Sequence, residues 1–186
     1  MASSKRSTPR AKSSSTTSLA TKPTSTSSRT KSTSSTITSV VIAFGSNLGD
    51  RAYHLRRALH ELSPFVRLVR VSSVHETAAV DSPAGSPDYL NLVAVGYTTL
   101  PPLTLLREMQ SIEAKLGRVR TRVRNEPRVI DLDLIFYGAL RMNTRELTLP
   151  HPRWSQREFV VKPLREVWRH STPSVVEGSI KARRLR

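Results

Sequence analysis

The 186-residue chain contains no cysteine. This excludes a disulfide framework, a thiolate zinc site and a cysteine nucleophile, and it fits an intracellular protein. Long apolar runs are also missing. The longest uninterrupted one is Val40 to Phe44, far short of the ~20 residues that a membrane-spanning helix needs. We therefore expect a protein that acts without a membrane.

Acidic residues are absent from both ends of the chain. Residues 1–36 hold seven basic residues, and 22 of the 36 are serine or threonine; residues 181–186 hold four more basic residues. The chain between them has 19 basic against 14 acidic residues, so most of the formal charge of +16 lies at the ends. This composition predicts a disordered tail over 1–36, one globular domain over 37–172 and a basic tail over 173–186. A Ser-rich basic start is also typical of transit peptides. We expect a cytoplasmic protein, with mitochondrion or plastid as the alternative.

Hydrophobic periodicity predicts a regular order of elements from Ile37 onwards. Strands are expected at 40–44, at 66–76, at 89–98, within the aspartate-containing segment 127–138 and near 147–149. Helices are expected after Asp50, from Pro101-Pro102 to Gly117, and over 157–168. The order strand–helix–strand–strand–helix–strand predicts an α+β fold. Specifically, we expect a ferredoxin-like βαββαβ core with a mostly antiparallel sheet and helices on one or both faces.

Two carboxylates sit two residues apart in a run of strand-forming residues. Because strand side chains alternate, Asp131 and Asp133 should share one face, while Leu132, Leu134 and Phe136 point to the other. Acids are disfavoured in strands and repel each other at this spacing. The pair suits a hard divalent cation such as Mg²⁺, which prefers oxygen ligands. The alternative is a pair of solvated acids neutralised by arginines.

An arginine-rich segment precedes the aspartates. Arginines at 118, 120, 122 and 124 alternate with other residues, and Arg128 follows. Guanidinium groups bind phosphate in a bidentate manner and stay charged at any working pH. The segment therefore favours a polyphosphate ligand, with a solvated basic loop or an RNA-binding loop as the alternative.

Several other polar and aromatic residues stay ambiguous on spacing alone. Glu113 borders the apolar stripe of its helix and is as easily a surface ion-pair partner as a site residue. His151 lies between two prolines, and a lone histidine is more often structural. Tyr89 and Asn91 share a strand face that could hold a flat heterocycle, whereas Phe159 fits a core position. The turn from Gly45 to Arg51 lacks the P-loop pattern, and no dinucleotide-binding or zinc-protease motif occurs.

Taken together, several segments resemble the 6-hydroxymethyl-7,8-dihydropterin pyrophosphokinase family of the folate pathway. The resemblance spans about Ile37 to Trp168. It rests on the order and spacing of short motifs: Gly45-Ser46-Asn47-Leu48-Gly49-Asp50-Arg51, Glu76-Thr77, Asp88-Tyr89-Leu90-Asn91, Ile112-Glu113, Leu116-Gly117-Arg118-Val119-Arg120, Pro127 to Ile135, Leu149-Pro150-His151-Pro152-Arg153 and Arg157-Glu158-Phe159-Val160.

The resemblance implies a ferredoxin-like enzyme that transfers the terminal pyrophosphoryl group of ATP to the hydroxymethyl oxygen of a reduced pterin and releases AMP. It also implies a role for each matching position. Two Mg²⁺ ions would bind Asp131 and Asp133, and Arg118 and Arg128 would stabilise transition-state charge. The resemblance also implies that ATP contacts Glu113, Arg120, the backbone near Leu134, Thr148, His151 and Arg157. It implies that the pterin contacts Asn47, Thr77, the backbone near Val80, Tyr89, Asn91 and Phe159.

The chain departs from the family pattern in two places. Asn125 and Glu126 precede Pro127-Arg128 where many relatives have a bulky aromatic and then a small residue, which bears on how this loop closes. Val80 stands where a proline is common. The basic tail is not part of the family pattern.

An RNA-binding ferredoxin-like module is the alternative from another functional class. It would use the arginine segment and the basic tails. However, the chain lacks the aromatic-rich strand motif that such modules use to stack bases. The RNA-binding hypothesis also leaves the aspartates without a role. We therefore expect a monomer that binds small molecules and no nucleic acid.

Overall fold

A computed structural model of the protein describes residues 36–79, 85–119 and 126–168. The predicted N-terminal tail (apart from Thr36) and the C-terminal tail lie outside these residues, as do Val80, Arg120, Arg122, Arg124 and Asn125. The described elements are, in chain order, β1 (Thr38–Ser46), α1 (Arg51–Leu62), β2 (Arg67–Val71), β3 (His75–Thr77), β4 (Tyr89–Thr98), α2 (Pro102–Lys115), β5 (Asp131–Tyr137), β6 (Met142–Asn143), β7 (Thr148–Leu149), a 3₁₀ turn (Trp154–Gln156) and α3 (Glu158–Trp168).

One antiparallel sheet organises the domain. Its strand order is β2-β4-β1-β5, and β3 pairs with β4 on the same side as β2. The first and last strands of the βαββαβ unit, β1 and β5, are therefore neighbours. The third strand of the unit is β4, and it lies between the first, β1, and the second, β2. This is the ferredoxin-like arrangement, so the predicted fold is confirmed. Strands β6 and β7 form a separate two-stranded sheet that the sequence pattern predicted only in part.

Helices cover both faces of the sheet. On one face, Leu55, Leu62 and Met109 of α1 and α2 pack against Ile42 and other even-numbered residues of β1. On the other face, Val160, Leu164 and Val167 of α3 pack against Val41, Ala43, Val93 and Ile135. Because β1 and β4 are buried on both sides, they read as nearly continuous apolar runs.

Local signals explain where the first two helices begin and end. The carboxylate of Asp50 caps α1 by accepting a hydrogen bond from the Tyr53 amide at 2.9 Å. Pro102 occupies the first turn of α2, where its missing N–H costs nothing. Gly117, at a φ of +96°, ends α2 in the left-handed region that favours glycine. No helix among the described residues is long and apolar enough to cross a membrane.

The predicted strand over 66–76 is wrong in one respect, because it is two strands with a break at residues 72–74. The side chain of Ser72 is buried and accepts a hydrogen bond from the Val93 amide at 3.0 Å. The amide of Ser73 donates to Glu166 of α3 at 2.8 Å. Long-range polar contacts thus replace strand pairing where the alternating pattern predicted it to continue.

The predicted orientation of Phe136 is also wrong. A register shift between Val41 and Ile42 leaves Ile135 without a cross-strand partner, so Phe136 pairs with Val41 and Leu134 with Ile42. Leu132 and Leu134 face α1 and α2 as predicted, but both Ile135 and Phe136 pack with α3. A bulge of this kind reverses the alternation for every residue beyond it.

Candidate active site

A cavity of about 550 Å³ opens on the α3 face of the sheet. It lies over the ends of β1, β3, β4 and β5, next to the part of the face that α3 covers. Side chains from five elements line it, together with the segment 153–157 that leads into α3. Eight of the predicted site residues lie along this cavity: Thr77, Tyr89, Asn91, Arg128, Asp131, Asp133, Arg157 and Phe159.

The two aspartates of β5 lie side by side at this cavity. Asp131 pairs across the sheet with Gly45 and Asp133 with Ala43, so both occupy the same face, as the alternation predicted. Three arginines neutralise them. Arg118 and Arg128 donate to Asp131 at 2.5 and 3.2 Å, and Arg157 donates to Asp133 at 2.7 Å.

Burial and like charge act on these carboxylates. Burial, followed by the charge of Asp131, raises the pKa of Asp133, although His151 and Arg157 oppose the shift. Burial also lowers the pKa of His151, which favours a neutral imidazole. A cation beside Asp133 would oppose this shift and favour the charged carboxylate, as Arg157 already does.

The donor chemistry fits a hard divalent cation. Two carboxylates project from one rigid strand, and Mg²⁺ is commonly held by one or two carboxylates together with substrate phosphates and water. Within the described ranges, no cluster of three or more His, Cys, Asp or Glu side chains could hold a metal. An ion held by these two carboxylates would take its other ligands from water or from a bound ligand.

A buried acid on α2 holds the upstream arginine in place. Glu113 is only 2% exposed, and its carboxylate accepts hydrogen bonds from the Leu132 amide at 2.8 Å and from Arg118. Burial disfavours the Arg118 cation, but the nearby charges of Asp131 and Glu113 prevail and raise the pKa of Arg118. Glu113 thus joins α2, β5 and an arginine of the site.

The other half of the cavity is aromatic and amide-lined. Tyr89 and Asn91 project from β4, and the Asn91 amide group donates to the Thr77 hydroxyl at 2.8 Å. Phe159 of α3 lines the same cavity, and the Arg157 guanidinium lies 5.5 Å from its ring centre. Burial raises the pKa of Tyr89, so its phenol stays neutral. This half offers flat apolar surfaces and hydrogen-bonding groups to one ligand.

A glycine makes room for the aromatic and amide half. Gly45 lies between Asn91 and Asp131 in the sheet. A β-carbon placed there would lie 3.1 Å from the Asn91 carboxamide oxygen and 3.6 Å from the Tyr89 ring. The close approach of these two side chains to the backbone therefore depends on a residue without a side chain.

Asn47 fixes the backbone of Arg128, on the arginine side of the cavity. Its side-chain oxygen accepts from the Arg128 amide at 2.7 Å, its own amide donates to the Arg128 carbonyl at 3.1 Å, and its side-chain amide group donates to the Pro87 carbonyl at 3.1 Å. Asn47 is 1% exposed. In this structure it therefore ties together two loops at the cavity rather than lining it.

The other predicted residues that the structure describes do not line the cavity. The His151 amide donates to the Ile135 carbonyl at 3.0 Å. Thr148 bonds Asn143 within the small sheet at 3.1 Å. The Leu134 side chain belongs to the core. Arg120 and Val80 lie outside the described residues.

Sequence reasoning missed five polar residues that line the cavity: Glu76, Arg153, Gln156, Glu158 and Lys162. Two of them carried a usable signal. Lys162 follows Phe159 by three residues, so both share a helix face. Arg153 follows the His151-Pro152 pair that the sequence analysis singled out. The 3₁₀ turn that brings Gln156 to the cavity left no clear pattern in the sequence.

The fold and the cavity define a class of protein. It is a ferredoxin-like α+β domain with carboxylates and arginines on one side of a cavity and an aromatic–amide group on the other. Acids that can hold a metal, together with arginines, are the groups that recur in enzymes of phosphoryl transfer. Comparison with known proteins agrees. The chain belongs to the 7,8-dihydro-6-hydroxymethylpterin-pyrophosphokinase (HPPK) family, whose model matches residues 41–169.

Two similar proteins illustrate the relationship. The 2-amino-4-hydroxy-6-hydroxymethyldihydropteridine pyrophosphokinase of Bacillus subtilis is 42% identical over 132 residues, which are 68% of this chain and 75% of that protein. The protein of Arabidopsis thaliana named "Folate synthesis bifunctional protein, mitochondrial" is 40% identical over 131 residues, which are 70% of this chain and 23% of that protein.

A solved structure shares the fold. The wild-type HPPK-DHPS of Plasmodium falciparum, crystallised with STZ-DHP, matches with a TM-score of 0.56 and 14% identity, over 75% of this chain and 39% of that chain. The chain thus spans less than half of that structure and less than a quarter of the Arabidopsis protein.

Proposed function

We propose that this protein transfers a diphosphoryl group from ATP to the hydroxymethyl oxygen of 6-hydroxymethyl-7,8-dihydropterin, releasing AMP, as a step of folate biosynthesis. One observation carries the proposal. A single cavity joins a carboxylate–arginine half, suited to a metal-bound polyphosphate, to an aromatic–amide half, suited to a flat heterocycle. The family membership supports the same reaction.

The reaction is a phosphoryl-type transfer to an alcohol. The bond between the β-phosphorus and the oxygen that bridges to the α-phosphorus breaks, and a bond from the pterin hydroxymethyl oxygen to the β-phosphorus forms. The bridging oxygen leaves with AMP, and the hydroxyl proton is released. Such transfers need alignment and charge neutralisation more than covalent catalysis, which agrees with a site that has no cysteine.

The polyphosphate half would bind ATP with Mg²⁺. Asp131 and Asp133 would hold the metal, and we propose that it is a pair of Mg²⁺ ions. Bound Mg²⁺ would neutralise phosphate oxygens and favour loss of the hydroxyl proton. Arg118 and Arg128 would orient the transferred phosphates and stabilise charge that develops on them. The remaining proposed ATP contacts are Glu113 (through Arg118), Arg120, the backbone near Leu134, Thr148, His151 and Arg157.

The heterocycle half would bind the pterin. Its ring would stack between Tyr89 and Phe159, and Asn91 and Thr77 would hydrogen-bond to its edge with the backbone near Val80. Asn47 would support this pocket by holding the loop before Tyr89 through its hydrogen bond to the Pro87 carbonyl. The reactive hydroxymethyl group would then point towards the aspartates, because both halves belong to one cavity.

The proposal also covers the oligomeric state, the partners, the domain limits and the compartment of the protein. We propose a monomer that acts on small molecules rather than on nucleic acid, with the domain limits at residues 37 and 172. We place it in the cytoplasm, with a mitochondrion or a plastid as the alternative compartment.

Product analysis tests the activity. Incubation with ATP, Mg²⁺ and the reduced pterin alcohol should give AMP and a pterin diphosphate on chromatography. ADP would indicate an ordinary kinase, and no turnover would refute the proposal. Asp131→Asn should lower kcat by at least about a hundredfold because it removes a charge that neutralises the metal. Glu146→Gln, which changes an exposed acid outside the cavity, should retain wild-type rates.

A further inference from the structure

A cluster of polar side chains joins α3 to the β2–β3 connection outside the cavity. The Glu166 carboxylate accepts hydrogen bonds from the Ser73 amide at 2.8 Å and from the Ser73 hydroxyl at 2.8 and 2.9 Å. The His75 Nε2 atom lies 2.6 Å from the same carboxylate. Hydrogen bonds to the charged carboxylate, first those from Ser73, lower the pKa of Glu166.

The cluster is not a hydrolytic triad, although it contains Ser, His and Glu. A catalytic histidine uses one ring nitrogen towards the acid and the other towards the nucleophile. Here the same Nε2 atom of His75 lies 2.6 Å from Glu166 and 3.2 Å from the Ser73 hydroxyl. The ring therefore cannot relay a proton from the serine, and the contacts fit a role in holding two elements together.

The cluster fixes the end of α3 that lies away from the cavity. Glu166 follows Phe159 by seven residues, which is about 10 Å along a helix. A second contact acts at the same end, because Arg70 donates to the Val167 carbonyl at 3.3 Å, where a cation also favours the helix dipole. The other end of α3 carries Phe159 at the cavity.

The same cluster is continuous with the opposite wall of the cavity. His75 and Thr77 are alternate residues of β3 and pair with Asn91 and Tyr89 of β4. The Thr77 hydroxyl accepts a hydrogen bond from Asn91 at 2.8 Å. One short strand thus contacts Glu166 near one end and lines the cavity at the other.

We infer that Ser73, His75 and Glu166 form a positioning anchor that sets the distance between Phe159 on α3 and the Thr77–Tyr89–Asn91 wall, and so determines pterin affinity. The inference rests on the proposed function, since it concerns the pterin half of that site. The anchor acts through α3 and β3 and touches neither substrate. The exposed fraction of the side chain is 26% for His75 and 39% for Glu166. An isolated surface ion pair contributes little stability, so the effect is expected in ligand geometry more than in folding.

The test compares substitutions of Glu166 and Ser73 with a control substitution on α3. Glu166→Ala removes the carboxylate that Ser73 and His75 contact, Glu166→Gln keeps one side-chain oxygen, and Ser73→Ala keeps the backbone donor. Arg165→Ala is the matched control, because Arg165 is the exposed neighbour of Glu166 on α3. Each variant is measured for the Kd of the reduced pterin alcohol alone, by fluorescence titration, and for kcat and both KM values.

We expect Glu166→Ala to raise the pterin Kd and KM about tenfold, which corresponds to ~1.4 kcal/mol. The KM for ATP should change less than twofold. Glu166→Gln and Ser73→Ala should give intermediate increases, and Arg165→Ala should match wild type. A selective loss of pterin affinity, partly rescued by glutamine, is an outcome that general destabilisation would not produce.

Three results would overturn the anchor. They are an unchanged pterin Kd in Glu166→Ala, an equal loss of affinity for both substrates, and an equal loss in the Arg165 control. If Glu166→Ala does not fold, unchanged pterin affinity in both milder variants refutes the inference. Failure of the proposed function is distinguishable, because then the wild type itself would neither bind the pterin nor release AMP.

Discussion

Replacing Glu113 should test how the buried acid supports the site. The Glu113 side chain is 3% exposed, and its carboxylate accepts hydrogen bonds from the Leu132 amide and from Arg118, whose side chain is 17% exposed. Glu113→Ala leaves a buried N–H and a largely buried cation without this acceptor. Breaking a buried ion pair by removing one partner costs about 3–5 kcal/mol. Asp131 still contacts Arg118, so the lower end of that range, about 3 kcal/mol, is expected.

Glu113→Gln separates the charge from the hydrogen bond. The glutamine oxygen can still accept from the Leu132 amide, so only the charge that pairs with Arg118 is lost. We expect a loss of about 1–2 kcal/mol in the free energy of unfolding. In both variants kcat should fall more than the KM for ATP rises, because Arg118 would be held less firmly against the charge that develops during transfer.

Urea unfolding followed by tryptophan fluorescence measures the stability change. Trp154 and Trp168 both pack against the core on the α3 face and report its loss. A double-mutant cycle with Arg118→Ala should give a coupling energy of about 1–3 kcal/mol. Exposed substitutions usually change the free energy of unfolding by no more than about 0.5 kcal/mol. The reasoning is refuted if Glu113→Ala changes it by no more than that, or if the effects of the two substitutions are additive.

Three further predictions follow from particular contacts. Gly45→Ala would place a β-carbon 3.1 Å from the Asn91 carboxamide oxygen, so the KM for the pterin should rise while the KM for ATP stays within about twofold; equal changes in both would contradict this. Gly96→Ala would place a β-carbon 2.7 Å from a backbone carbonyl oxygen of β2, so calorimetry should show a loss of about 1–3 kcal/mol of stability, and a wild-type melting temperature would argue against it. The folded-state pKa of Glu166 lies below its ordinary value of 4.5, chiefly because of hydrogen bonds from Ser73; its stabilising contribution is present above that value and is lost as the pH falls through the folded pKa. Glu166→Gln should therefore lose less stability than wild type as the pH falls from the ordinary pKa of 4.5 through the folded pKa, whereas parallel pH curves would show that the carboxylate contributes nothing.

The limits of the sequence pattern are clearest in β5 and in the region of β2 and β3. Alternation correctly predicted that Asp131 and Asp133 share a face, because the strand is regular there. It failed for Phe136, because a register shift with β1 lies beyond Leu134. It also predicted one strand where Ser72 and Ser73 break the pairing through contacts with β4 and α3. Bulges and breaks of this kind depend on partners that the local pattern does not contain.

The amino-acid sequence by itself determined the order of strands and helices, the caps at Asp50 and Gly117, and the family, because each depends on local preferences or on short motifs in a fixed order. Only the tertiary structure decided that Glu113 is buried against Arg118 and Leu132 and that α3 leaves part of the sheet open as a cavity. It alone brought Glu166 to Ser73 and His75, residues 93 and 91 positions away in the chain. The physical reason is that these features arise from packing between distant elements, and neither periodicity nor propensity carries information about which distant side chains will meet.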